Sequence, residues 1–85
     1  MKRMIARYWK VTDSIVKLQI KTTQDQRLIE EVLSGWQCVS YGYAPKTKED
    51  IYVFEKRFES DFDLTRFLNS SKINSLIEMK EVPND

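Results

Sequence analysis

Apolar and polar positions repeat first with a period of two and later with one of three to four, and that change divides the chain. From Ile15 to Thr22 the alternation is regular, with Val16, Leu18 and Ile20 on one side and Lys17, Gln19 and Lys21 on the other. This is the pattern of a half-buried strand. Residues 3–11 mix Met4, Ile5, Tyr8, Trp9 and Val11 with charges. Thr12-Asp13-Ser14 follows, and such short polar side chains bond their own backbone in turns. The first 22 residues therefore read as a β-hairpin.

The period then lengthens. Thr23-Gln24-Asp25-Gln26 fits a capping box, in which the Thr and Gln side chains satisfy each other's free backbone amides. Leu28, Ile29, Val32 and Leu33 share one face of the helix that follows, and Gly35 suits the left-handed position that ends it. Two strands are expected at about 36–43 and 50–58, joined by the proline-containing, charged segment 44–49. Ser60 and Asp63 open a second, shorter helix carrying Leu64, Phe67 and Leu68. The tail from Ile73 to Val82 admits both periods. Ile73, Leu76 and Ile77 fit a helix, whereas Ile77 with Met79, or Leu76 with Val82, fits a strand. The strand is the expectation, with Pro83 closing the ordered region.

The fold class is thus α+β: a mainly antiparallel sheet of four to five strands with two helices on one face, in the order β-β-α-β-β-α-β. With the first strand set aside, the remaining order is that of the split βαβ, or ferredoxin-like, arrangement. Residues 1–82 form a single domain in this reading, and 83–85 a disordered tail.

Gly35-Trp36-x-x-Val39-Ser40, followed by Tyr52-x-Phe54-x-Lys56-Arg57 after an acid-rich helix, resembles a group of small bacterial and phage domains of unknown function. The likeness spans roughly residues 5–58. Gln37 replaces the glutamate usual after the tryptophan, and the C-terminal helix is extra. The resemblance implies the order of elements and carries no activity with it.

Composition narrows the function classes. With 85 residues, 32% charged and 41% hydrophobic, the chain has room for one small core and is not disordered by composition. No apolar run approaches the roughly 20 residues of a membrane span. The N-terminus lacks the apolar stretch of a signal peptide. A single cysteine excludes an internal disulfide, and the absence of histidine removes the commonest general base and metal ligand. A soluble, cytoplasmic domain is the expectation, with no membrane partner.

Catalysis is the class most easily set aside. Without histidine, a Ser or Cys nucleophile would need Lys or a carboxylate as its base. Cys38 lies in an expected strand, where a small buried hydrophobe is the simpler role. Asp61 and Asp63 fall in a helix first turn, which favours negative charge, and Glu49-Asp50 lies at a loop edge. Gly35 and Gly42 form no phosphate-cradling loop. The expectation is a non-enzyme with no cofactor and no metal.

Charge is informative by its placement. The net charge is +1, yet residues 1–21 carry Lys2, Arg3, Arg7, Lys10, Lys17 and Lys21 against Asp13 alone, leaving the remainder acidic. The register of the hairpin decides which of these face water. A three-residue turn at 12–14 pairs Tyr8 with Leu18 and sets Ile5, Arg7 and Trp9 beside Lys17, Gln19 and Lys21. A two-residue turn at Asp13-Ser14 pairs Trp9 with Leu18, moves Trp9 into the core and turns Arg7 inward. Burying the tryptophan and burying the unpaired charge are comparable in size, a few kcal/mol each, so both registers stay open.

Strand 50–58 is apolar on both faces, with Tyr52, Phe54 and Phe58 on one and Ile51 and Val53 on the other. Such strands are covered on both sides, and two short helices cover only one face. The leading expectation is therefore a small protein-interaction domain, which binds a protein partner or itself through the uncovered sheet face and the basic hairpin. A phage or mobile-element regulator or inhibitor fits that description. Arg3, Arg7, Trp9, Lys10, Lys17 and Lys21 are the candidate partner-binding residues, and Ile51 and Val53 the candidates for self-association into a homodimer. The alternative is a single-stranded nucleic-acid-binding module, in which the cations track phosphates and a ring stacks a base.

Overall fold

The regularly alternating segment becomes the centre of the sheet. In the computed structural model, which describes residues 3–83, the elements are β1 (Met4–Lys10), β2 (Ile15–Thr22), α1 (Gln26–Val32), β3 (Gln37–Ala44), β4 (Glu49–Arg57), α2 (Asp61–Leu68), α3 (Ser71–Leu76) and β5 (Ile77–Glu81). Of the tail expected over 83–85, residues 84 and 85 lie outside the described residues, as do Met1 and Lys2. The strands form one sheet in the order β3-β4-β2-β1-β5. All neighbouring pairs are antiparallel except β1 and β5, which run parallel.

The fold is α+β and mainly antiparallel, but two expectations need correction. The described residues hold three helices where two were expected, because the tail uses both of its periods in turn. Ser70 caps α3, its side chain accepting from the Ile73 amide, and the chain is already extended at Ile77 (φ −132°, ψ 131°). The strand order also differs from the split βαβ arrangement. The unit β2–α1–β3 brackets β4, yet β1 inserts between β2 and β5 instead of standing outside the repeat. Two strands, not one, therefore separate β4 from β5.

The hairpin adopts the three-residue turn. Tyr8 lies opposite Leu18, Trp9 opposite Lys17 and Arg7 opposite Gln19. The Val11 amide donates to the Ile15 carbonyl at 2.8 Å, and the Thr12 hydroxyl accepts from the Ile15 amide at 3.1 Å. This register sends Met4, Ala6, Val16, Leu18 and Ile20 into the core, where they meet Tyr52, Phe54 and Phe58 of the β4 segment and Ile77 of β5. Ile29, Val32 and Leu33 around α1, Leu64 of α2 and Ile73 of α3 close that core from above. All three helices thus cover the same face.

Helix α1 starts later than the capping box implied. Asp25 is the cap, its carboxylate accepting from the Arg27 amide at 2.9 Å, while the buried Thr22 hydroxyl accepts from the Gln24 amide. Asp25 stands two residues before the amide it accepts from, the usual N-cap spacing, and takes the role the capping box had given to Thr23. Ser60 caps α2 as expected, accepting from the Asp63 amide at 3.2 Å. Gly35 has φ +91°, a left-handed conformation that L side chains rarely adopt. Trp36, next to it, is buried against Phe67 and Phe58, with ring centroids 5.2 and 5.7 Å away. Its indole N–H has no partner among the described residues, a desolvation cost that this aromatic packing offsets.

Candidate functional site

The face of the sheet turned away from the helices brings together most of the residues singled out from the sequence. Cross-strand pairing places them in rows. Trp9 of β1 lies beside Lys17 of β2, then Glu55 of β4 and Gln37 of β3. Arg7 is flanked by Lys80 of β5 and Gln19 of β2, with Val53 and Ser40 beyond. Ile5 is flanked by Glu78 and Lys21, with Ile51 and Gly42 beyond. Ile15 and Arg57 pair at the far end. Side chains directly opposite in such pairs stand about 5 Å apart, so each row is in contact along its length.

The candidates for partner binding and those for self-association therefore share one surface. Arg7, Trp9, Lys17, Lys21, Ile51 and Val53 all lie on it. Arg7 and Lys21 are exposed, while Trp9, Lys17, Ile51 and Val53 are half-buried by their neighbours. Arg7, Lys17, Lys21, Arg57 and Lys80 outnumber Glu55 and Glu78 there. The helical layer has the opposite balance, with Glu30, Glu31, Asp61 and Asp63 against Arg27, Arg66 and Lys72. The near-neutral total thus conceals a basic face.

Arg3 sits at the end of this surface. Its guanidinium donates to the Asn74 carbonyl at 3.0 Å. With Ile5, Arg7, Lys21, Thr23 and Glu49 it lines a groove of about 360 Å³. Among the described residues, Arg3, Arg7, Lys17 and Lys21 form no ion pair.

Lys10 does not belong to the site. The register that exposes Arg7 and Trp9 turns Lys10 to the helix side, where its ammonium pairs with Asp61 in the first turn of α2. The hydrogen bond to Asp61 raises the Lys10 pKa above its usual value. Its role is to tie the hairpin to α2, a contact between residues 51 positions apart that no local pattern announces.

Cys38 also departs from expectation, being exposed instead of buried. It faces the helix side opposite Phe54, but β3 is the sheet edge and runs beyond the helical layer. Its thiol donates to the Ser40 carbonyl at 3.5 Å. Among the described residues no group of three or more His, Cys, Asp or Glu converges as a metal site, and no helix is long and apolar enough to cross a membrane.

Sequence reasoning overlooked the tyrosines of β3. Tyr41 and Tyr43 are 60% and 54% exposed, and the Tyr41 hydroxyl donates to the Asp50 carboxylate at 2.6 Å. That bond, reinforced by the carboxylate's charge, pushes the Tyr41 pKa up to about 12. Burial raises Tyr52 and Tyr8 as well. The folded state holds the Tyr41 proton more tightly than the unfolded chain does. The resulting stabilisation is complete below pH 10 and is lost as pH rises from 10 through about 12. Asp50→Asn should bring Tyr41 back toward the ordinary value, seen as earlier tyrosinate absorbance in an alkaline titration. An unchanged titration would mean that the hydrogen bond does not persist in solution.

Comparison with family models, with curated proteins and with solved structures finds no match to this chain.

Proposed function

We propose that this chain is a non-catalytic binding domain that docks an acidic protein surface on the uncovered face of its sheet. The carrying observation is the interleaving of aliphatic and basic side chains on that face. Ile5, Ile15, Ile51 and Val53 lie between Arg7, Lys17, Lys21, Arg57 and Lys80. Protein interfaces join apolar contact to charged margins, with Trp and Arg as frequent anchors. Trp9 and Arg7 are the anchors in this reading. Face-to-face self-association is the weaker variant, because it sets one basic surface against another. A phage or mobile-element regulator or inhibitor needs only such occupancy to act.

One observation favours a second reading, single-stranded nucleic acid. Trp9 beside Lys17, with Arg7 two residues away, joins a ring to cations as base stacking and phosphate tracking require. The aliphatic residues argue for protein, since strand-binding sheets use several rings and this face has one.

Affinity capture from the native cells, scored for protein and nucleic acid separately, distinguishes the readings. Wild type and Asp63→Lys, altered on the helix side, should retain an acidic protein that Arg7→Glu/Lys17→Glu loses. Capture that survives the double reversal would refute the face. If oligonucleotides bind instead, four engaged cations give a log–log salt slope of about −3 on single strands. Binding weaker than about 0.1 mM at low salt would end that reading.

A further inference from the structure

The two edges of the sheet are built differently. β5, at one edge, is five residues long and carries Glu78, Lys80 and Glu81. Short, charged edges resist pairing with further strands. β3, at the other, is Gln-Cys-Val-Ser-Tyr-Gly-Tyr-Ala, with no charge in eight residues and none of them buried. Of the large apolar side chains left exposed, Val39, Tyr41 and Tyr43 belong to this one strand. The irregularity between Cys38 and Ser40 leaves Ser40–Ala44 as the regular stretch. No strand among the described residues lies beyond it.

We infer that β3 pairs antiparallel with β3 of a second copy about a two-fold axis at Gly42, joining two sheets into one of ten strands. An uncharged strand is self-complementary. In this register Ser40 lies opposite Ala44, Tyr41 opposite Tyr43 and Gly42 opposite itself, so no like charges meet. Tyr41 and Tyr43 share the helix side with Tyr52, whose ring centroid is 5.2 Å from that of Tyr41. The two copies' tyrosines therefore form one aromatic row in the space between the helical layers. Gly42 takes the axial position, where an added Cβ would meet nothing within 4 Å in its own chain. The axis stands perpendicular to the sheet, so both basic faces lie on the same side and become one surface of double length. Isologous pairing of this kind closes at two copies.

A five-residue edge buries less than a standard interface, so a weak, concentration-dependent association is expected. Sedimentation equilibrium over a concentration series should show a monomer–dimer equilibrium. Gly42→Lys puts two like-charged side chains opposite each other on the axis, with their Cβ atoms about 5 Å apart, and should weaken the dimer severalfold. Gly42→Val adds strand propensity without charge and should leave it intact or strengthen it. Opposed antiparallel residues come within disulfide reach, so Cys38→Ser/Gly42→Cys should yield a covalent dimer on mild oxidation. Circular dichroism confirms that each variant is folded. A strict monomer at all concentrations, a dimer indifferent to Gly42→Lys, or no cross-link through Gly42→Cys overturns self-pairing; a monomer would leave the edge to a foreign strand. No acidic ligand enters these measurements, so their outcome is separate from that of the sheet face.

Discussion

Leu18→Ala is expected to cost about 3–5 kcal/mol, the large end of the range for a buried leucine. The side chain is fully buried on β2, the middle strand of the sheet, between Tyr8 of β1 and Phe54 of β4. Those neighbours are held by two ladders of hydrogen bonds and cannot easily collapse into the gap. A domain of this size has a total stability of roughly 5–10 kcal/mol. The substitution therefore removes a large share of it and should lower the melting temperature by more than about 12 °C. Urea denaturation with an unchanged m-value checks the figure. A loss below about 1 kcal/mol would mean that Leu18 is not at the centre of the core.

Reversing two charges on the open face should have an equally large effect on binding and almost none on folding. Arg7 and Lys17 make no ion pair that their removal would orphan. Arg7→Glu gains Lys80 as an opposite charge across the β1–β5 pair, whereas Lys17→Glu meets Glu55 across the β2–β4 pair. Cross-strand charge effects are a few tenths of a kcal/mol, so the two changes nearly cancel and the melting temperature should move by less than about 3 °C. Affinity for an acidic partner should fall on the order of a hundredfold, since attraction becomes repulsion at two positions. A double variant that melts much earlier would indicate the alternative hairpin register, with Arg7 turned into the core.

The parts of this fold that were legible in the sequence are those set by near neighbours. The period-two run of Val16, Leu18 and Ile20 located the central strand, and Ser60 marked the start of α2. Ile51 and Val53 opposite Tyr52 and Phe54 announced a strand with two apolar faces. The basic hairpin was visible as a charge excess, and the structure assigned most of it to the open face once the register was known.

What stayed hidden depends on the order of strands. Cys38 looked like a core residue because its strand is apolar in places, but β3 forms the edge and extends past the helices. Lys10 looked like one more surface cation until the parity of β1 aimed it at Asp61. In the tail, Ile73 and Ile77 are four apart and Ile77 and Met79 two apart, so helical and strand periods overlap. The chain passes from α3 to β5 at Ile77 with neither glycine nor proline to mark the change.

In the function proposed above, the open face of the sheet, and not the helical layer, is the binding surface. The two tryptophans report on it directly, because Trp9 lies on that face and Trp36 is buried in the core on the other side. Nitrogen-15-labelled protein titrated at low salt with an amphipathic acidic peptide of alternating Glu and Leu should show the Trp9 indole signal shifting. The amides of Arg7, Lys17 and Lys21 should shift with it, while the Trp36 indole stays in place. A fixed Trp9 signal, or shifts confined to α1, α2 and α3, would contradict the account.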